Sequence, residues 1–558
     1  MARRQAVPTT LGAAAIATCR QRLRKEKIRD SLGSTVTGGE LLTRALVLRR
    51  ILRRQVLAPD EQRVGILLPP SVAGVIANLA LTLDERVTVN LNYSLTSEML
   101  NSSIRQAKVT HVLTSRRFLE RLSFDLDAEL VLLEDFKDAA TLRDKVVAAA
   151  MAYVVPQRLL TRLIGVHEHR DDDVLSIMFT SGTTGDPKGA VLSHGNLKFN
   201  LTAVDAIIHI APHDVLIGIL PFFHSFGYAI TLWGALVFNI RAAYHFNPLD
   251  ARTVGQLSRE TGGTILLATP MFLRNFTRRC EPEDFATLEV VVTGAERLPP
   301  AVADAFEAKF GIRPVEGYGT TETSPLISAN IPHSRAFGDP ALSARPGTVG
   351  KPAPGVRTRL VDQETGKDVP PGEQGMLLVS GPNVMHGYLD KPDETAAALR
   401  DGWYVTGDIC TIDEDGFITI VGRESRFAKI AGEIVPHGMI EDALSEIVGY
   451  DEAGGPKLAV VSVPDEQRGE RLVVVHTPLE LPVTEIRTRL QRAGLPNLYL
   501  PGADSFIEVE ALPMIGTGKL DLRGIKRLAE TTFVAAGGSS APTEHLASPG
   551  RPTGEQRR

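Results

Sequence analysis

The first residues that could do chemistry lie together at positions 179–189, which contain three glycines, four hydroxyl side chains and one lysine. Apolar runs at 174–179 and 190–192 flank them, so the pattern predicts a strand, a loop and a second strand. Glycine permits positive φ angles and close backbone approach, so the loop could surround an anion such as phosphate with N–H groups and hydroxyls. A polar hairpin tip is the alternative, because these are also ordinary turn residues.

The nucleotide loop of Walker-type ATPases, G-x-x-x-x-G-K-[ST], does not occur in the sequence, which argues against that class. The loop instead resembles the phosphate loop of the adenylate-forming superfamily, which includes acyl-CoA synthetases, luciferases and the adenylation domains of nonribosomal peptide synthetases. It matches the pattern T-S-G-T-T-G-x-P-K-G at every position. The resemblance implies that ATP is bound by Thr180, Ser181, Gly182, Thr183, Thr184, Gly185 and Lys188.

A second motif occupies residues 316–322 and follows an apolar strand end. Tyr318 between glycines could form a slot for a planar base, and Thr321 offers a hydroxyl to a phosphate oxygen. Glu322 offers carboxylate oxygens, which Mg²⁺ prefers. The superfamily's Y-G-x-T-E motif resembles this stretch and implies nucleotide binding by Gly317, Tyr318, Gly319 and Thr321, with Mg²⁺ on Glu322. A tyrosine packed in a strand-turn corner is the alternative.

The strand predicted before this motif ends in Gly294, where a ligand could lie against backbone without meeting a Cβ atom. The resemblance implies that the adenine edge and the acyl chain lie at Gly294, Ala295 and Glu296. It also points to His224 and Phe226, in the loop 221–227, as substrate-binding residues. From the residues alone, Gly294 is only a strand end.

Two further motifs follow in the order in which they occur in the superfamily. Asp408 could accept hydrogen bonds from ribose hydroxyls, and Arg423, fifteen positions later, could add donors in a fixed fork. The resemblance gives both residues this ribose role. Residues 513–519 resemble the superfamily's P-x-x-x-x-G-K, which implies that Lys519 bridges the carboxylate and the α-phosphate; without the resemblance, Lys519 would be a surface turn residue. The implied catalytic residues are therefore Lys519, Glu322, Thr321 and Lys188, with ATP and Mg²⁺ as cofactors.

The substrate is expected to be a fatty acid, because the loop 221–227 lacks the aspartate with which amino-acid adenylation domains pair an ammonium group. Resemblance to the acyl-[acyl-carrier-protein] synthetase half of bifunctional 2-acylglycerophosphoethanolamine acyltransferases rests on residues 422–432, 494–498, 504–508 and 516–524. It implies acyl carrier protein as the thiol acceptor. The acyltransferase motif N-H-x-x-x-x-D does not occur, since pairs such as His245 and Asp250 lack the preceding asparagine, so a ligase alone is expected. A long-chain fatty acid-CoA ligase and a non-catalytic lipid-binding module derived from a ligase remain the alternatives.

Strands and helices alternate through the first three hundred residues, which predicts parallel sheets covered on both faces. Ser193 is expected to cap a helix at 196–208. The fold class is predicted as α/β: a large N-terminal domain of stacked, mostly parallel sheets with helices and a small β unit, then a small mobile α+β domain. The predicted domains are residues 1–425, which bind AMP, and 426–533, a C-terminal lid that carries Lys519. Residues 534–558 are predicted to be a disordered tail.

The junction between the two predicted domains departs from the superfamily's pattern, because Arg426 stands where the superfamily usually has its hinge aspartate. Residues 135–173 are expected to be less regular, with the cluster 167–173 in a solvated loop rather than a metal site. The basic segment within residues 1–60 is expected to include an amphipathic helix between 20 and 54, with Leu41, Leu42, Ala45 and Leu48 inside and a solvated basic face. The alternative is that this basic face binds an acidic partner or anionic lipid.

Composition limits the remaining possibilities. A net charge of −5 argues against nucleic acid as a partner. Three cysteines without metal-ligand spacing predict a cytoplasmic protein, with membrane association at the inner face left open. Residues 215–240 contain no charged side chain and could span a bilayer by length. The sequence 221–227 interrupts them, which predicts a buried strand, a loop and a buried helix instead.

Overall fold

The computed structural model describes residues 10–120, 122, 124–180, 187–336, 343–430, 433–451, 454–465, 468–514 and 520–533. The chain divides into two compact units, and the division falls after Ser425. The α-helices are α1 Leu11–Gln21, α2 Gly38–Gln55, α3 Val72–Thr82, α4 Ser97–Ala107, α5 Arg116–Leu119, α6 Phe136–Ala139, α7 Leu142–Tyr153, α8 Gln157–Leu163, α9 His194–Ile208, α10 Ala235–Val237, α11 Ala251–Thr261, α12 Pro270–Arg279, α13 Pro300–Phe310, α14 Pro392–Ala398, α15 His437–Val448, α16 Val483–Arg492 and α17 Leu522–Phe533.

The strands alternate with helices through the first three hundred residues, as predicted. They are β1 Glu26–Asp30, β2 Thr35–Thr37, β3 Arg63–Ile66, β4 Val87–Asn90, β5 His111–Thr114, β6 Glu129–Leu132, β7 Val174–Thr180, β8 Lys188–Ser193, β9 Val215–Gly218, β10 Arg241–Tyr244, β11 Ile265–Ala268, β12 Val290–Thr293, β13 Val315–Gly319, β14 Leu326–Ala329, β15 Lys351–Pro352, β16 Arg357–Val361, β17 Gly375–Ser380, β18 Gly387–Tyr388, β19 Leu399–Arg400, β20 Trp403–Ile412, β21 Ile418–Arg423, β22 Phe427–Ile430, β23 Glu433–Pro436, β24 Leu458–Asp465, β25 Gly469–His476 and β26 Phe506–Glu508.

Three sheets build the first unit. One has the order β15-β14-β13-β12-β11-β9-β10-β1-β2, and its inner pairs from β1 to β13 are parallel. A second has the order β18-β8-β7-β4-β3-β5-β6 and is parallel except at the β7, β8 and β18 end. Strands β9, β11 and β12 are buried along their whole length, as expected for parallel strands covered on both faces.

The third sheet is the predicted small β unit, in which β16, β17, β20, β19 and β21 pair antiparallel. Its register places Asp408 directly opposite Arg423. Ser193 caps helix α9 as predicted: its side chain accepts from the Asn196 N–H, and the Asn196 side chain accepts in return from the Ser193 N–H, so the helix begins at His194 rather than at 196.

The second unit is an α+β fold around one sheet of order β23-β22-β25-β24, with β26 on β25. Alternate residues of β24 supply two cores, with Leu458 and Val460 on one face and Ala459 and Val461 on the other. Arg426, the residue at the expected hinge position, forms an ion pair with Glu441 inside this unit. Burial raises the pKa of the Glu441 carboxyl, against the effect of that arginine.

The prediction of less regular structure was wrong for most of residues 135–173, although most of the cluster 167–173 is exposed as expected. The segment forms the helices α6, α7 and α8, and α7 begins in a capping box in which Thr141 and Asp144 exchange hydrogen bonds. The His169 side chain is only 5% exposed, and its ring centroid lies 5.1 Å from that of His194. The cluster is therefore not a fully solvated loop, because His169 packs against the start of α9.

The prediction of a solvated basic face between residues 20 and 54 was only partly right. Leu41, Leu42, Ala45 and Leu48 are buried, as predicted. Several basic residues, however, have internal partners: Arg49 Nε donates to the Leu83 carbonyl at 2.9 Å, and Arg50 and Arg54 pair with the buried Asp144. Lys27 is fully buried and donates to the carbonyls of Phe238 and Ile240, and burial lowers its pKa to about 7.

Residues 215–240 form a buried strand, a loop and then a π-helical segment, Gly227–Gly234, that continues into α10. Gly227 is required at the start, because an added Cβ would lie 2.1 Å from the Pro221 carbonyl oxygen. Within the described ranges, none of the helices has both the length and the apolar character needed to cross a bilayer. The predicted tail at 534–558 lies outside those ranges.

Candidate active site

The hairpin of β7 and β8 carries the two ends of the predicted phosphate loop. Thr180 and Lys188 are paired across the antiparallel ladder, and Thr180 Oγ1 donates to the Lys188 carbonyl at 3.4 Å. Both predicted strands are present. The five loop residues Ser181, Gly182, Thr183, Thr184 and Gly185 lie outside the described residues, and so does Lys519.

Lys188 and Glu322 meet at one tyrosine ring. The Lys188 ammonium lies 5.2 Å from the centroid of the Tyr388 ring, and the Tyr388 hydroxyl donates to Glu322 Oε1 at 2.7 Å. Tyr388 reaches this position because β18 pairs with β8, and the Met385 N–H donates to the Glu322 carbonyl at 2.8 Å. The phosphate-loop lysine and the predicted metal ligand, far apart in sequence, therefore share one aromatic partner.

The Glu322 carboxylate lies close enough to the Tyr388 hydroxyl to influence its ionisation. Burial raises the pKa of the Tyr388 hydroxyl, and the charge of Glu322 raises it further. Glu322 itself is 9% exposed. A carboxylate has about four acceptor positions, and Tyr388 uses one of them. The oxygen donor set that remains is of the kind that Mg²⁺ prefers, so the residues present fit that ion.

Asp408 holds the second cluster together. It is 2% exposed, it accepts from the Tyr318 hydroxyl, and it accepts from Arg423 Nε at 2.8 Å. The Arg423 side chain is half exposed, and Asp408 raises the pKa of its guanidinium. Thr406 Oγ1 accepts from the Asp408 N–H at 3.0 Å and so fixes the turn. The predicted base-stacking tyrosine and the two predicted ribose ligands are therefore direct neighbours.

The end of β12 brings the predicted substrate residues together. A Cβ atom added to Gly294 would lie 3.2 Å from Phe226 Cε1 and 3.4 Å from the Gly317 carbonyl oxygen. The Phe226 N–H donates to His224 Nδ1 at 3.4 Å. A larger residue at 294 would crowd the Phe226 ring, so the glycine lets the end of β12 and the loop 221–227 lie close together.

Residues around these clusters complete the arrangement. Thr321 Oγ1 donates to Ser225 Oγ at 3.4 Å, which links the second motif to the loop 221–227. Gly319 is required, since an added Cβ would lie 1.7 Å from the Pro325 carbonyl oxygen. Ala295 has a φ of 71°, and Ala295 and Glu296 are exposed directly after the buried Gly294. Every predicted site residue of the first unit that the structure describes lies in, or next to, one of these contacts.

Sequence reasoning missed four polar residues of the site: Tyr388, Ser225, Thr406 and Glu316. Thr406 had a local signal, because a threonine two residues before an aspartate forms a common hydrogen-bonded turn. Tyr388 had none, because it stands in a strand of two residues whose partner is two hundred positions away. Elsewhere, His213, Asp214 and Glu289 lie close enough to share a cation, but Arg335 donates to both carboxylates, at 2.7 and 2.8 Å.

Glu316 makes the stability of the site region dependent on pH. Its Oε1 accepts from the Leu298 N–H at 3.0 Å, and burial raises its pKa from 4.5 to about 7. The folded state thus binds a proton that the unfolded state releases between these values, so the free energy of unfolding falls as pH rises from about 4.5 to 7. The Glu316→Gln variant lacks this loss. The difference in free energy of unfolding between variant and wild type is therefore expected to shift in favour of the variant by up to about 3 kcal/mol from pH 4.5 to pH 8.

Urea unfolding of both proteins at several pH values measures this difference. Glu260→Gln, on an exposed part of α11, serves as the matched control and is expected to show no such trend. A stability difference between Glu316→Gln and the wild type that stays constant from pH 5 to 8 would contradict the assignment of a raised pKa to Glu316.

The sequence matches one protein family over most of the first unit: the model described as "AMP-binding enzyme" covers residues 16–389. Among curated proteins, the chain is 29% identical to a long-chain-fatty-acid–CoA ligase of Yersinia pestis, over 89% of this chain and 90% of that protein. It is 27% identical to a ligase of the same name from Bacillus subtilis, over 84% and 86%. A medium-chain fatty-acid–CoA ligase of Escherichia coli K12 is 32% identical over 65% and 62%.

Solved structures agree with this match. The ATP-bound MatB protein of Rhodopseudomonas palustris is 27% identical, with a TM-score of 0.75 over 93% of this chain and 99% of that one. The o-succinylbenzoate CoA synthetase of Bacillus subtilis, in complex with its acyl-adenylate, has a TM-score of 0.77 over 92% and 98%; at 20% identity it supports the fold alone.

These findings confirm the predicted superfamily, the α/β fold class with its large N-terminal and small C-terminal domains, and the prediction of an enzyme. They also support the predicted cofactors, ATP and Mg²⁺, which are those of adenylate-forming enzymes. The chain belongs to the AMP-binding enzyme family.

Proposed function

We propose that this protein is an AMP-forming acid–thiol ligase that activates a fatty acid with ATP and transfers the acyl group to coenzyme A. The observation that carries the proposal is the meeting of Lys188 and Glu322 on the Tyr388 ring, next to a cluster that offers Asp408 and Arg423 to a ribose. Two negative reactants must approach each other in such a reaction, so an enzyme for it acts chiefly by positioning and by neutralising charge.

The proposed roles follow the chemistry of each group. Thr180, Lys188 and the loop between them bind the phosphates, Thr321 donates to a phosphate oxygen, and Tyr318 stacks on the base between Gly317 and Gly319. Glu322 holds Mg²⁺, which when bound neutralises charge on the phosphate oxygens. Gly294, Ala295 and Glu296 border the adenine and the acyl chain. Lys519 neutralises charge between the reacting oxygens.

A fatty acid is supported by the apolar character of the loop 221–227 and the helix after it. Phe222, Phe223 and Tyr228 are buried, and the loop contains no carboxylate that could pair with an ammonium group. Phe226 lies against the strand end at Gly294, and its N–H donates to His224 Nδ1. The names of the three similar ligases also specify fatty acids.

Coenzyme A is the favoured acceptor because all three of those proteins are named as CoA ligases. Acyl carrier protein remains the second candidate, and the sequence resemblance at residues 494–498 and 504–508 supports it. Arg426 bears on the same question. It stands where the superfamily usually has its hinge aspartate, and it forms an ion pair with Glu441. We further propose that residues 426–533 form the lid that brings Lys519 to the first domain.

Product analysis decides between the acceptors. The protein is incubated with ATP, Mg²⁺ and a series of fatty acids of increasing length, with either coenzyme A or acyl carrier protein as the thiol, and products are separated by mass. Acyl-CoA formation with AMP release is expected. If a thioester forms only on acyl carrier protein, that protein and not coenzyme A is the acceptor. If no thioester forms with either thiol, the proposal of a ligase is wrong.

Replacing Asp408 by asparagine is expected to raise the KM for ATP by roughly ten- to a hundredfold, because hydrogen bonds to a charged group contribute about 1.5–3 kcal/mol. The change removes the charge that Arg423 Nε contacts at 2.8 Å while the amide still accepts a hydrogen bond. Steady-state kinetics with varied ATP measures it. Asp415→Asn is the control, since Asp415 pairs with Arg345 at the surface of the same hairpin and should leave KM unchanged. An equal change in both variants would contradict the ribose role.

A further inference from the structure

Exposed apolar side chains are concentrated on the outer sides of α7 and α8. Six large apolar side chains are exposed there, and Leu142 and Val154 are each 77% exposed. The full set, which we call the 142–163 surface, is Leu142, Val146, Tyr153, Val154, Leu159 and Leu163. Leu142, Val146 and Tyr153 follow helical spacing along one side of α7, and Leu159 and Leu163 do so along α8. Soluble proteins rarely expose so many apolar side chains in one segment unless the surface binds something.

The charges on the same segment are all of one sign at the surface. Arg143, Lys145, Arg158 and Arg162 are exposed. The one acidic residue between 142 and 163 is Asp144, which is buried and paired with Arg50 and Arg54 at 3.0 and 2.7 Å. The segment therefore presents apolar side chains among basic ones, without a neighbouring carboxylate of its own to neutralise them.

The two helices are held by contacts on their inner sides, to which Tyr153 contributes although its side chain is also partly exposed. Ala148, Ala152 and Leu160 are buried. Arg20 donates to the carbonyls of Met151 and Val155, the first at 2.7 Å. Tyr153 lies over Gly39, where an added Cβ would be 2.4 Å from the Tyr153 ring. The 142–163 surface is thus presented on a fixed backbone.

We propose that the 142–163 surface docks the protein on an anionic lipid bilayer, with the apolar side chains in the headgroup boundary and the arginines and Lys145 on lipid phosphates. Charge complementarity carries this choice, because exposed apolar side chains flanked by basic ones match an interfacial surface for anionic lipid. A symmetric contact with a second copy would place the four cations against their own equivalents, which is unfavourable. The inference concerns binding to the bilayer and does not rest on the proposed ligase reaction.

Flotation of the full-length protein with vesicles tests the proposal. The vesicles are phosphatidylcholine alone or phosphatidylcholine mixed with phosphatidylglycerol, each at low and high salt. Binding is expected to the mixed vesicles and to weaken at high salt, because screening reduces the lipid–arginine attraction. Replacing the charges by Arg143→Gln, Arg158→Gln and Arg162→Gln is expected to weaken binding about fivefold for each charge removed.

The apolar side chains are tested by the triple variant Leu142→Ser, Val154→Ser, Leu163→Ser, which should lose roughly tenfold or more in vesicle affinity. Its matched control is Leu122→Ser, Leu249→Ser, Met439→Ser, which removes exposed apolar side chains elsewhere and should bind as the wild type does. Circular dichroism checks that both variants are folded.

Two results would overturn the proposal. One is a wild type that does not float with the mixed vesicles, and the other is equal binding by the wild type and the 142–163 triple variant. If the wild type does not float, loss of a dimer or of binding to acyl carrier protein in the triple variant would assign the surface to a protein partner.

Discussion

Replacing Glu322 by glutamine is expected to lower the rate of acyl-adenylate formation by about 10²- to 10³-fold, the usual cost of removing one group that stabilises transition-state charge. Glutamine keeps the length of the side chain and an oxygen that can accept from the Tyr388 hydroxyl. In the wild type this hydroxyl lies 2.7 Å from Glu322 Oε1. It removes the negative charge that a hard cation requires. Exchange of labelled pyrophosphate into ATP, measured over a range of Mg²⁺ concentrations, determines the rate and the metal dependence together.

Tyr388→Phe is the matched control for that experiment. It removes the hydroxyl that donates to Glu322 and leaves the carboxylate and the aromatic ring below the Lys188 ammonium. We expect a loss of about tenfold, the lower end of the cost of one hydrogen bond to a charged group, because the carboxylate and its charge remain. If Glu322→Gln retained the wild-type rate and the wild-type Mg²⁺ dependence, the metal assignment would be wrong.

Replacing Lys519 by alanine is expected to slow adenylation by a similar factor of about 10²- to 10³-fold while leaving the use of a supplied acyl-adenylate intact. The reason is chemical: a lysine ammonium is a compact point charge, suited to the negative charge that grows between a carboxylate and the α-phosphate. This charge is absent from the second half-reaction, in which a thiol displaces AMP. The two half-reactions should therefore separate in this variant.

Single-turnover assays of each half-reaction measure the separation. Lys457→Ala is the control, because Lys457 is a lysine of the second unit that pairs with Glu480 at 3.7 Å and should affect neither step. Equal loss of both half-reactions in Lys519→Ala would refute its assignment to adenylation.

Local patterns in the sequence predicted those parts of the fold that local patterns control. Helix α9 was anticipated from Ser193, and its capping box is present. Helices α3 and α4 follow apolar periodicity, and strands β9, β11 and β12 follow short apolar runs. Each of these elements has a pattern that repeats within a few residues, which is why one sequence is enough to find it.

Features that depend on distant partners were missed. Helix α7 was overlooked because its outer side is apolar and its inner side contains small alanines, so the usual contrast between the two sides is weak. The arginines of α2 were expected in solvent because Asp144, their partner, is ninety positions away in sequence. Motif residues of the site were found by resemblance, but Tyr388 could be recognised only from the pairing of β18 with β8.

The central claim is that polar groups distant in sequence bind one ATP molecule so that a fatty carboxylate displaces pyrophosphate. Pyrophosphate exchange by the wild-type protein tests it most directly, with labelled pyrophosphate, ATP and Mg²⁺, in the presence and absence of a long-chain fatty acid. Label should enter ATP only when the fatty acid is present, and AMP rather than ADP should accumulate once a thiol is added. Release of ADP, or the absence of exchange with every fatty acid supplied, would contradict the account.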